Sequence, residues 1–316
     1  MKRELLVAEF LSTPWALMPE RLAAFAGIMQ RWQAGGKAAP EVMASIEADK
    51  EIVAARKQDA ARAGQGQNIA VLPLYGVVTQ RGSMADDVSG PGAASTQKFT
   101  AALRQALQDP SVGGILIDID SPGGSVYGVD ELASEIMSAR AQKPIIGLAN
   151  SLAASAAYWV GAACSELYVT PGGEVGSIGV WQAHEDWSKA MEDAGVKTTL
   201  ISAGKYKTEG NPYEPLGEDA QAFMQSRVDD YYAAFTKSVA KGRGVSVDVV
   251  RKDFGQGRVY GAAQAQANGM VNGVMTFDDV VKKLAKDIKV NNRNNAIAPA
   301  APSRLAKAQR DLAMLS

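Results

Sequence analysis

The spacing of hydrophobic positions changes twice along the chain and divides it into three parts. In the first part, apolar side chains recur every three or four residues, which predicts two amphipathic helices over 19–33 and 41–62. A glycine-containing linker at 64–66 ends this pattern. We therefore predict an N-terminal helical arm over residues 1–65 that serves packing or assembly.

In the second part, residues 66–286, strand-like and helix-like patterns alternate. Nearly continuous apolar runs rich in β-branched residues predict buried strands. These runs occupy 69–78, 113–120, 144–150, 166–170, 176–181 and 197–202. Helical spacing is found at 95–108, around 129–137, and at 152–164, 218–241 and 262–268. The alternation predicts crossover connections and a largely parallel α/β sheet.

The third part, residues 287–316, is polar and rich in alanine and proline, which predicts a flexible tail. The formal net charge of the whole chain is -1, so no charge imbalance points to nucleic acid or to an anionic membrane. No run of about 18 apolar residues occurs, and Glu9, Pro14 and Pro19 interrupt the apolar start of the chain. We therefore expect neither a transmembrane helix nor a signal peptide.

Two residue types that carry much enzyme chemistry are nearly absent. Cys164 is the single cysteine, which excludes an intrachain disulfide and a cysteine zinc site. His184 is the single histidine, so any Ser-His-Asp interpretation has to use it. The chain has no metal-ligand spacing and no phosphate-binding loop, and we expect no cofactor and no metal.

The first candidate motif, DSPGGS at residues 120–125, follows a predicted buried strand. Two consecutive glycines let backbone N–H groups face a ligand with no Cβ in the way. Such N–H groups at a strand-to-helix turn can form an oxyanion hole. An ordinary tight turn explains the same residues, and the motif alone leaves the two interpretations about even.

The second candidate motif, NSLAASAAYW at residues 150–159, runs from the end of a predicted strand into a helix of small residues. Ser155 has an alanine on each side, so a peptide could approach its hydroxyl. A serine in the first turns of a helix also lies near the positive end of the helix dipole, which favours an alkoxide or an oxyanion. Alternatively, these small side chains simply permit close helix packing.

The third candidate motif, GKYKTEGNPY at residues 204–213, follows the predicted strand 197–202. A nucleophilic serine needs a base, and a lysine is the natural alternative in a chain with so little histidine. A lysine amine has a reference pKa of about 10.4 and must be neutralised by burial before it accepts a proton. Lys205 and Lys207 compete for this role, and either could be an ordinary surface lysine.

In this order, the three motifs resemble those of the signal peptide peptidase A (protease IV) family of Ser-Lys peptidases. The segments GSIGVW at 176–181 and GRVYGAAQAQANGMVNGV at 257–274 fit the same pattern. The resemblance covers roughly residues 68–285 and is greatest to the phage branch, the capsid assembly or head-maturation proteases. The PWAL segment at 14–17 is also typical of that branch.

The resemblance implies roles for individual residues. Ser155 falls on the family nucleophile, and Lys207, at the end of a G-x-x-K loop, falls on the general base. The other lysine of the loop would point the other way in an extended segment. The backbone N–H groups of Gly124 (or Gly123) and Ala156 fall on the oxyanion hole.

The fold that the resemblance implies is a ClpP/crotonase-like spiral of βαβ units, whose members assemble into homo-oligomeric rings with the active sites inside. The implied function is a serine endopeptidase that cleaves phage scaffold, portal or coat proteins during head maturation. The expected location is the host cytoplasm, inside the immature capsid (procapsid). We expect neither nucleic acid nor a membrane as a partner.

Three other functions stay open. Within the family, a bacterial signal peptide peptidase-like protease would degrade residual peptides. Crotonase-like acyl-CoA hydratases or isomerases share the fold and use paired backbone N–H groups, but they do not require a Ser-Lys dyad. An inactive crotonase-like assembly protein would keep the fold and lose the chemistry.

The single histidine offers a different base. His184 follows Ser155 by 29 residues, a spacing broadly like that of ClpP-type Ser-His-Asp peptidases. Its neighbours, QAHEDW at 182–187, predict the start of a polar helix. We therefore expect His184 to line a substrate groove at most, and not to act as the base.

Overall fold

The computed structural model of this chain describes residues 13–18, 51, 54, 68–81 and 94–297, with side chains up to residue 290. The helices predicted at 19–33 and 41–62 lie outside the described residues, except for two helical positions, 51 and 54. The tail beyond residue 297 also lies outside them.

The described part alternates strands and helices. The strands are β1 (Trp15–Leu17), β2 (Asn68–Tyr75), β3 (Val78–Thr79), β4 (Ala94–Ser95), β5 (Val112–Ser121), β6 (Gly123–Ser125), β7 (Ile145–Ala154), β8 (Glu166–Val169), β9 (Glu174–Gly176), β10 (Val259–Gly261) and β11 (Gly273–Val274). The helices are α1 (Thr96–Gln108), α2 (Val129–Ala139), α3 (Ala156–Ala162), α4 (Ser188–Asp193), α5 (Glu218–Arg243), α6 (Val247–Asp253), α7 (Ala262–Ala267) and α8 (Phe277–Ile297).

The main sheet is largely parallel. Strands β2, β5, β7 and β8 pair in parallel in that order, and β11 continues in parallel beyond β8. The last residues of β7 pair in parallel with β9, and β10 closes that edge in the antiparallel direction. Since neighbouring parallel strands need crossover connections, helices lie between them in the chain. The predicted mixed α/β architecture with a parallel sheet is confirmed.

A second, smaller sheet lies beside the first and has the order β1-β6-β3-β4. Its strands β3, β4 and β6 pair in parallel, whereas β1 runs antiparallel to β6. Strand β6 begins two residues after β5 ends at residue 121, so the chain passes directly from the main sheet into this smaller sheet.

The main sheet is covered on both faces, and β5 shows how. Ile115, Ile117 and Ile119 belong to the larger core, which includes apolar side chains of α1, α2, α3 and α5. Leu116 points the other way and joins a second core made with α8. Because successive residues of a strand face opposite sides, the continuous apolar run of β5 buries both faces.

Three predicted elements differ from the structure. The strand predicted at 144–150 continues to Ala154, so the helix after it begins only at Ala156. Of the strand predicted at 176–181, only residue 176 belongs to β9, and Trp181 forms an isolated bridge with Trp15. The strand predicted at 197–202 is irregular and exposed, because none of the described strands pairs with its backbone.

The end of the domain also differs from the pattern. Helix α8 continues to Ile297, so residue 287, where the sequence predicts the start of a flexible tail, lies inside a helix. Its apolar side chains up to Ile288 pack on the sheet, and this packing holds the last helix in place.

The docking of α8 can be tested by removing one core side chain. Leu284 is fully buried, so Leu284→Ala should lower the free energy of unfolding by about 2–5 kcal/mol, measured by urea denaturation. Val290 on the same helix is 47% exposed, and Val290→Ala should change it by no more than about 0.5 kcal/mol. Equal losses from the two changes would contradict the packing of α8 on the sheet.

Candidate active site

Strand β7 changes its partner halfway along. Its residues 146–149 pair with β8, and its residues 152–154 pair with β9. Between the two halves, Ser151 has a φ of 125°, a backbone conformation that L-residues rarely adopt. The change of partner separates β8 from β9 and carries the end of β7 toward the smaller sheet.

Ser155 lies on the sharp turn between β7 and α3. Its φ is 56° and its ψ is -119°, and such a conformation costs a non-glycine residue about 1–3 kcal/mol. Two backbone hydrogen bonds hold it there: the Ser155 N–H donates to the Gly176 carbonyl at 2.7 Å, and the Trp159 N–H donates to the Ser155 carbonyl at 3.0 Å. The turn therefore fixes the direction of the serine side chain.

The hydroxyl of Ser155 is buried and has no hydrogen-bond partner among the described residues. The residue is 1% exposed, and none of the donors or acceptors in the described part lies within hydrogen-bonding distance of its Oγ. Leaving a buried polar group unpaired costs about 1–3 kcal/mol, so native structures keep few of them without a functional reason. A free hydroxyl on a strained strand-to-helix turn is the usual geometry of a nucleophilic serine.

The two glycines of the DSPGGS motif lie against this turn. A Cβ on Gly123 would come 2.8 Å from the Ser155 Cβ and 2.2 Å from the Ala16 carbonyl oxygen, and the φ of Gly123 is 98°. A Cβ on Gly124 would come 1.9 Å from the Val78 carbonyl oxygen. No side chain fits at either position, so both residues must be glycine for β1, β3 and the serine turn to meet here.

Two backbone N–H groups are candidates for an oxyanion hole beside the serine. Ala156 is the first residue of α3, where an N–H has no acceptor within the helix. The Gly123 N–H donates to the Ser121 hydroxyl at 3.2 Å, which favours Gly124 as the oxyanion donor of the glycine pair. The structure therefore brings Ser155, the glycine pair and Ala156 together.

Lys207 is not part of this cluster in the single chain. It lies in an exposed loop, where its backbone N–H donates to the Gly204 carbonyl at 3.1 Å. No hydrogen bond joins its amine to the Ser155 hydroxyl. Lys205 in the same loop donates to the Tyr206 hydroxyl at 2.8 Å, and its amine lies 4.6 Å from the centre of that ring.

His184 holds the lysine loop instead of contacting the serine. Its Nε2 lies 3.1 Å from the Asn211 carbonyl oxygen, and nearby the Trp187 N–H donates to the Pro212 carbonyl at 2.8 Å. The polar helix predicted to begin near 182 begins only at Ser188. These contacts tie the segment after β9 to the end of the loop that carries Lys207.

Two other side chains with nucleophilic or titratable groups, those of Cys164 and Tyr158, are buried in the core. Burial raises the pKa of the Cys164 thiol to about 12, so it stays protonated. Burial also raises the pKa of Tyr158, whose hydroxyl donates to the Met270 carbonyl at 2.9 Å. Within the described residues, no group of three or more His, Cys, Asp or Glu side chains is placed to hold a metal ion.

The sequence pattern missed two contributors to the site. Strand β1 pairs with β6 and places Ala16 beside Gly123, and Trp181 pairs with β1 from its other side. A three-residue strand is too short to show a period, so only its apolar PWAL composition could have indicated it. In the part of the chain that the structure describes, no helix combines the length and the apolar character needed to cross a bilayer.

Comparison with known proteins finds a peptidase family and relatives from phages and cells. The family model described as peptidase family S49 matches residues 138–291, which include Ser155 and Lys207. The chain is 37% identical over 222 residues to capsid assembly protease C of Escherichia phage lambda, covering 70% of this chain and 50% of that protein. It is 34% identical over 229 residues to the head-tail preconnector protein of Enterobacteria phage P21, covering 72% of this chain and 45% of that protein.

A cellular relative is matched over more of its length. The chain is 30% identical over 227 residues to a candidate protease of Methanocaldococcus jannaschii, covering 72% of this chain and 73% of that protein. The two phage relatives, by contrast, are matched over only about half of their length, 50% and 45%. On the strength of these matches, the chain belongs to peptidase family S49.

Proposed function

We propose that this chain is a serine endopeptidase that uses Ser155 as its nucleophile and Lys207 as its general base. The observation that carries the proposal is the Ser155 hydroxyl, which is buried, free of hydrogen bonds and held on a strained turn beside Gly123. Family membership and the protease names of the relatives support it. We also propose that its βαβ units form a ClpP/crotonase-like spiral.

The proposed reaction is acyl transfer. The Ser155 Oγ attacks a peptide carbonyl carbon while the Lys207 amine accepts the hydroxyl proton. The carbonyl oxygen becomes an oxyanion that the N–H groups of Gly124 and Ala156 stabilise, and each such donor contributes about 100- to 1,000-fold in rate. Lys207 returns the proton to the leaving amine as the C–N bond breaks, and water then hydrolyses the acyl-enzyme along the same route.

A base of this kind requires an enclosed site. A lysine amine accepts a proton near neutral pH only when water is excluded around it, and Lys207 is exposed in the single chain. The segment before its loop is also exposed and apolar, with Leu200 43% and Ile201 96% accessible. We propose that a neighbouring copy covers this segment in a homo-oligomeric ring and so encloses the amine.

The proposed substrates are phage capsid proteins. One relative is named a capsid assembly protease and another a head-tail preconnector protein, which favours scaffold, portal or coat proteins cleaved inside the procapsid, in the host cytoplasm. A signal peptide peptidase-like role on residual peptides is the competing function, since a relative from Enterococcus faecium is named a candidate signal peptide peptidase.

Removal of the nucleophile tests the proposal most directly. Ser155→Ala should abolish cleavage of fluorescein-labelled casein and of scaffold, portal and coat proteins, and should abolish labelling by a fluorophosphonate probe. Ser134→Ala, an exposed serine on α2, should leave both unchanged. Turnover of acyl-CoA thioesters without probe labelling would support a crotonase-like enzyme, and intact proteins in every reaction would support an inactive assembly protein.

The base can be tested with two lysines of one loop. Lys207→Ala should lower kcat/KM on labelled casein by about 100- to 10,000-fold without changing the circular dichroism spectrum, because the proton then has no acceptor. Lys205→Ala, two residues earlier, removes an amine that contacts Tyr206 and should leave kcat/KM within about threefold. A larger loss from Lys205→Ala would reassign the base to that residue.

Replacement of the single histidine separates the two possible dyads. His184→Ala removes one contact to the Asn211 carbonyl and should keep kcat/KM within about tenfold of the native value. Circular dichroism on the same sample checks that the chain is folded. A loss as large as that expected for Lys207→Ala would overturn the Ser-Lys assignment.

A further inference from the structure

Strand β1 lies beside the candidate nucleophile as an extended peptide paired on both sides. On one side it runs antiparallel to β6, with Ala16 opposite Gly124. On the other side, the Trp15 N–H donates to the Trp181 carbonyl at 2.8 Å, and the Trp181 N–H donates to the Trp15 carbonyl at 3.0 Å. Edge strands that leave room for one more strand are a common means of binding extended peptides.

The register places one carbonyl of β1 at the proposed oxyanion donor. The Val126 N–H donates to the Pro14 carbonyl at 3.3 Å, and the Met18 N–H donates to the Pro122 carbonyl at 3.1 Å. Hydrogen-bonded pairs alternate along an antiparallel ladder, so the pair between these two, Ala16 with Gly124, is also hydrogen-bonded. The Ala16 carbonyl therefore faces the Gly124 N–H.

The same carbonyl stands in front of Ser155. A Cβ placed on Gly123 would touch both the Ala16 carbonyl oxygen, at 2.2 Å, and the Ser155 Cβ, at 2.8 Å. The two groups thus border one small space. The Ala16 carbonyl therefore lies within about the width of one side chain from the candidate nucleophile.

The side chains of β1 are fixed on both faces. Trp15 and Leu17 pack with Val77 and the partly buried Trp181, and the indole N–H of Trp181 donates to the Leu17 carbonyl at 2.8 Å. Ala16 faces the other way, fully buried in the main core. Position 16, which faces the core around the serine, therefore accommodates only a small side chain.

From this geometry we propose that β1, with its flanking residues 13–18, is an autoinhibitory strand in the peptide-binding channel of the proposed protease. Substrate polypeptides bind as extended strands between β6 and Trp181, and they do so only when β1 leaves. A tethered occupant acts at an effective concentration of about millimolar, so it weakens the apparent affinity for every external peptide. The inhibitory role of β1 rests on the proposed endopeptidase function.

A reversible lock on β1 tests the channel without using turnover. Trp15 and Ser125 are opposed in the register as a non-hydrogen-bonded pair, whose Cα atoms lie about 4.5 Å apart, within the range of a disulfide. The full chain would carry Ser155→Ala to prevent cleavage, together with Trp15→Cys and Ser125→Cys. The probe is a fluorescein-labelled synthetic peptide FLSTPWALMPE, the chain's own residues 10–20, followed by fluorescence anisotropy.

The reduced chain should bind this peptide, and the oxidised chain should bind it at least about tenfold more weakly. Mass spectrometry confirms the disulfide, and the two single cysteine variants, treated alike, should show no such change. Equal binding by the oxidised and reduced chains would overturn the proposal, because the peptide would then bind elsewhere. Absence of binding in both forms would also overturn it.

A second variant tests the inhibition itself. Trp15→Ala in the otherwise native chain should raise the rate of fluorophosphonate labelling and kcat/KM on labelled casein by about tenfold, because β1 loses its largest contact. The matched control is Val280→Ala, which loosens the opposite core and should raise neither. An unchanged or lower rate in a folded Trp15→Ala chain would contradict autoinhibition.

The two proposals fail differently. If no variant is labelled at Ser155 but the disulfide lock still controls peptide binding, the serine endopeptidase function is wrong and the displaceable strand stands. If the native chain is labelled and cleaves casein, and Trp15→Ala leaves both rates unchanged, the endopeptidase function stands and the autoinhibitory strand is wrong.

Discussion

The close approach of backbone segments around Gly123 and Gly124 is the constraint on which the site depends. A Cβ on Gly124 would overlap the Val78 carbonyl, and a Cβ on Gly123 would overlap both the Ala16 carbonyl and the Ser155 side chain. The glycine pair therefore does more than free two N–H groups for a ligand. It lets the smaller sheet close against the end of β7 and places the glycine pair, which includes the proposed oxyanion donor Gly124, beside the serine turn.

The strain of the serine turn is tolerable because the main sheet is buried on both faces. The conformation of Ser155 and its unpaired hydroxyl each cost about 1–3 kcal/mol, a large share of the 5–15 kcal/mol by which a domain is usually stable. Strand β7 passes through the centre of the sheet and is held by β5, β8 and β9. The Gly176 carbonyl then fixes the Ser155 N–H directly. A serine on a peripheral loop would lack these restraints.

Much of the fold follows from the sequence, because buried parallel strands leave a strong signal. The apolar runs that become β2, β5 and β8 and the spacing that becomes α1, α2 and α5 predict their elements closely. The pattern misplaces the end of β7 and the start of α3, because alanine and serine suit either conformation and Asn150 is typical of a strand end. Segment 197–202 has strand-like composition, but none of the described strands pairs with it. Such pairing depends on the tertiary structure, which a local sequence pattern does not contain.

The candidate site, like the fold, is predictable from the sequence only in part. The motifs at 120–125 and 150–159 predict neighbours that do meet, since both follow strands of one parallel sheet and so lie at the same edge. The position of β1 depends on a three-residue pairing far away in sequence, which periodicity cannot reveal. The scarcity of histidine indicates a lysine base, but the choice of Lys207 over Lys205 rests on the family resemblance, and the exposed loop of a single chain leaves it a proposal.

Two features of the single chain would prevent the proposed reaction, and each is removed by a different structural change. As the proposed base, the exposed Lys207 amine needs enclosure, which association with other copies of the chain can supply. The proposed channel beside Ser155 holds the chain's own Ala16 carbonyl, which only displacement of β1 can remove. An enzyme that needs both changes is inactive while dilute and becomes active where copies and extended substrates are concentrated together. For a protease of capsid proteins, that dependence on concentration would restrict cleavage to the assembled particle, because the shell gathers enzyme and substrate in one volume.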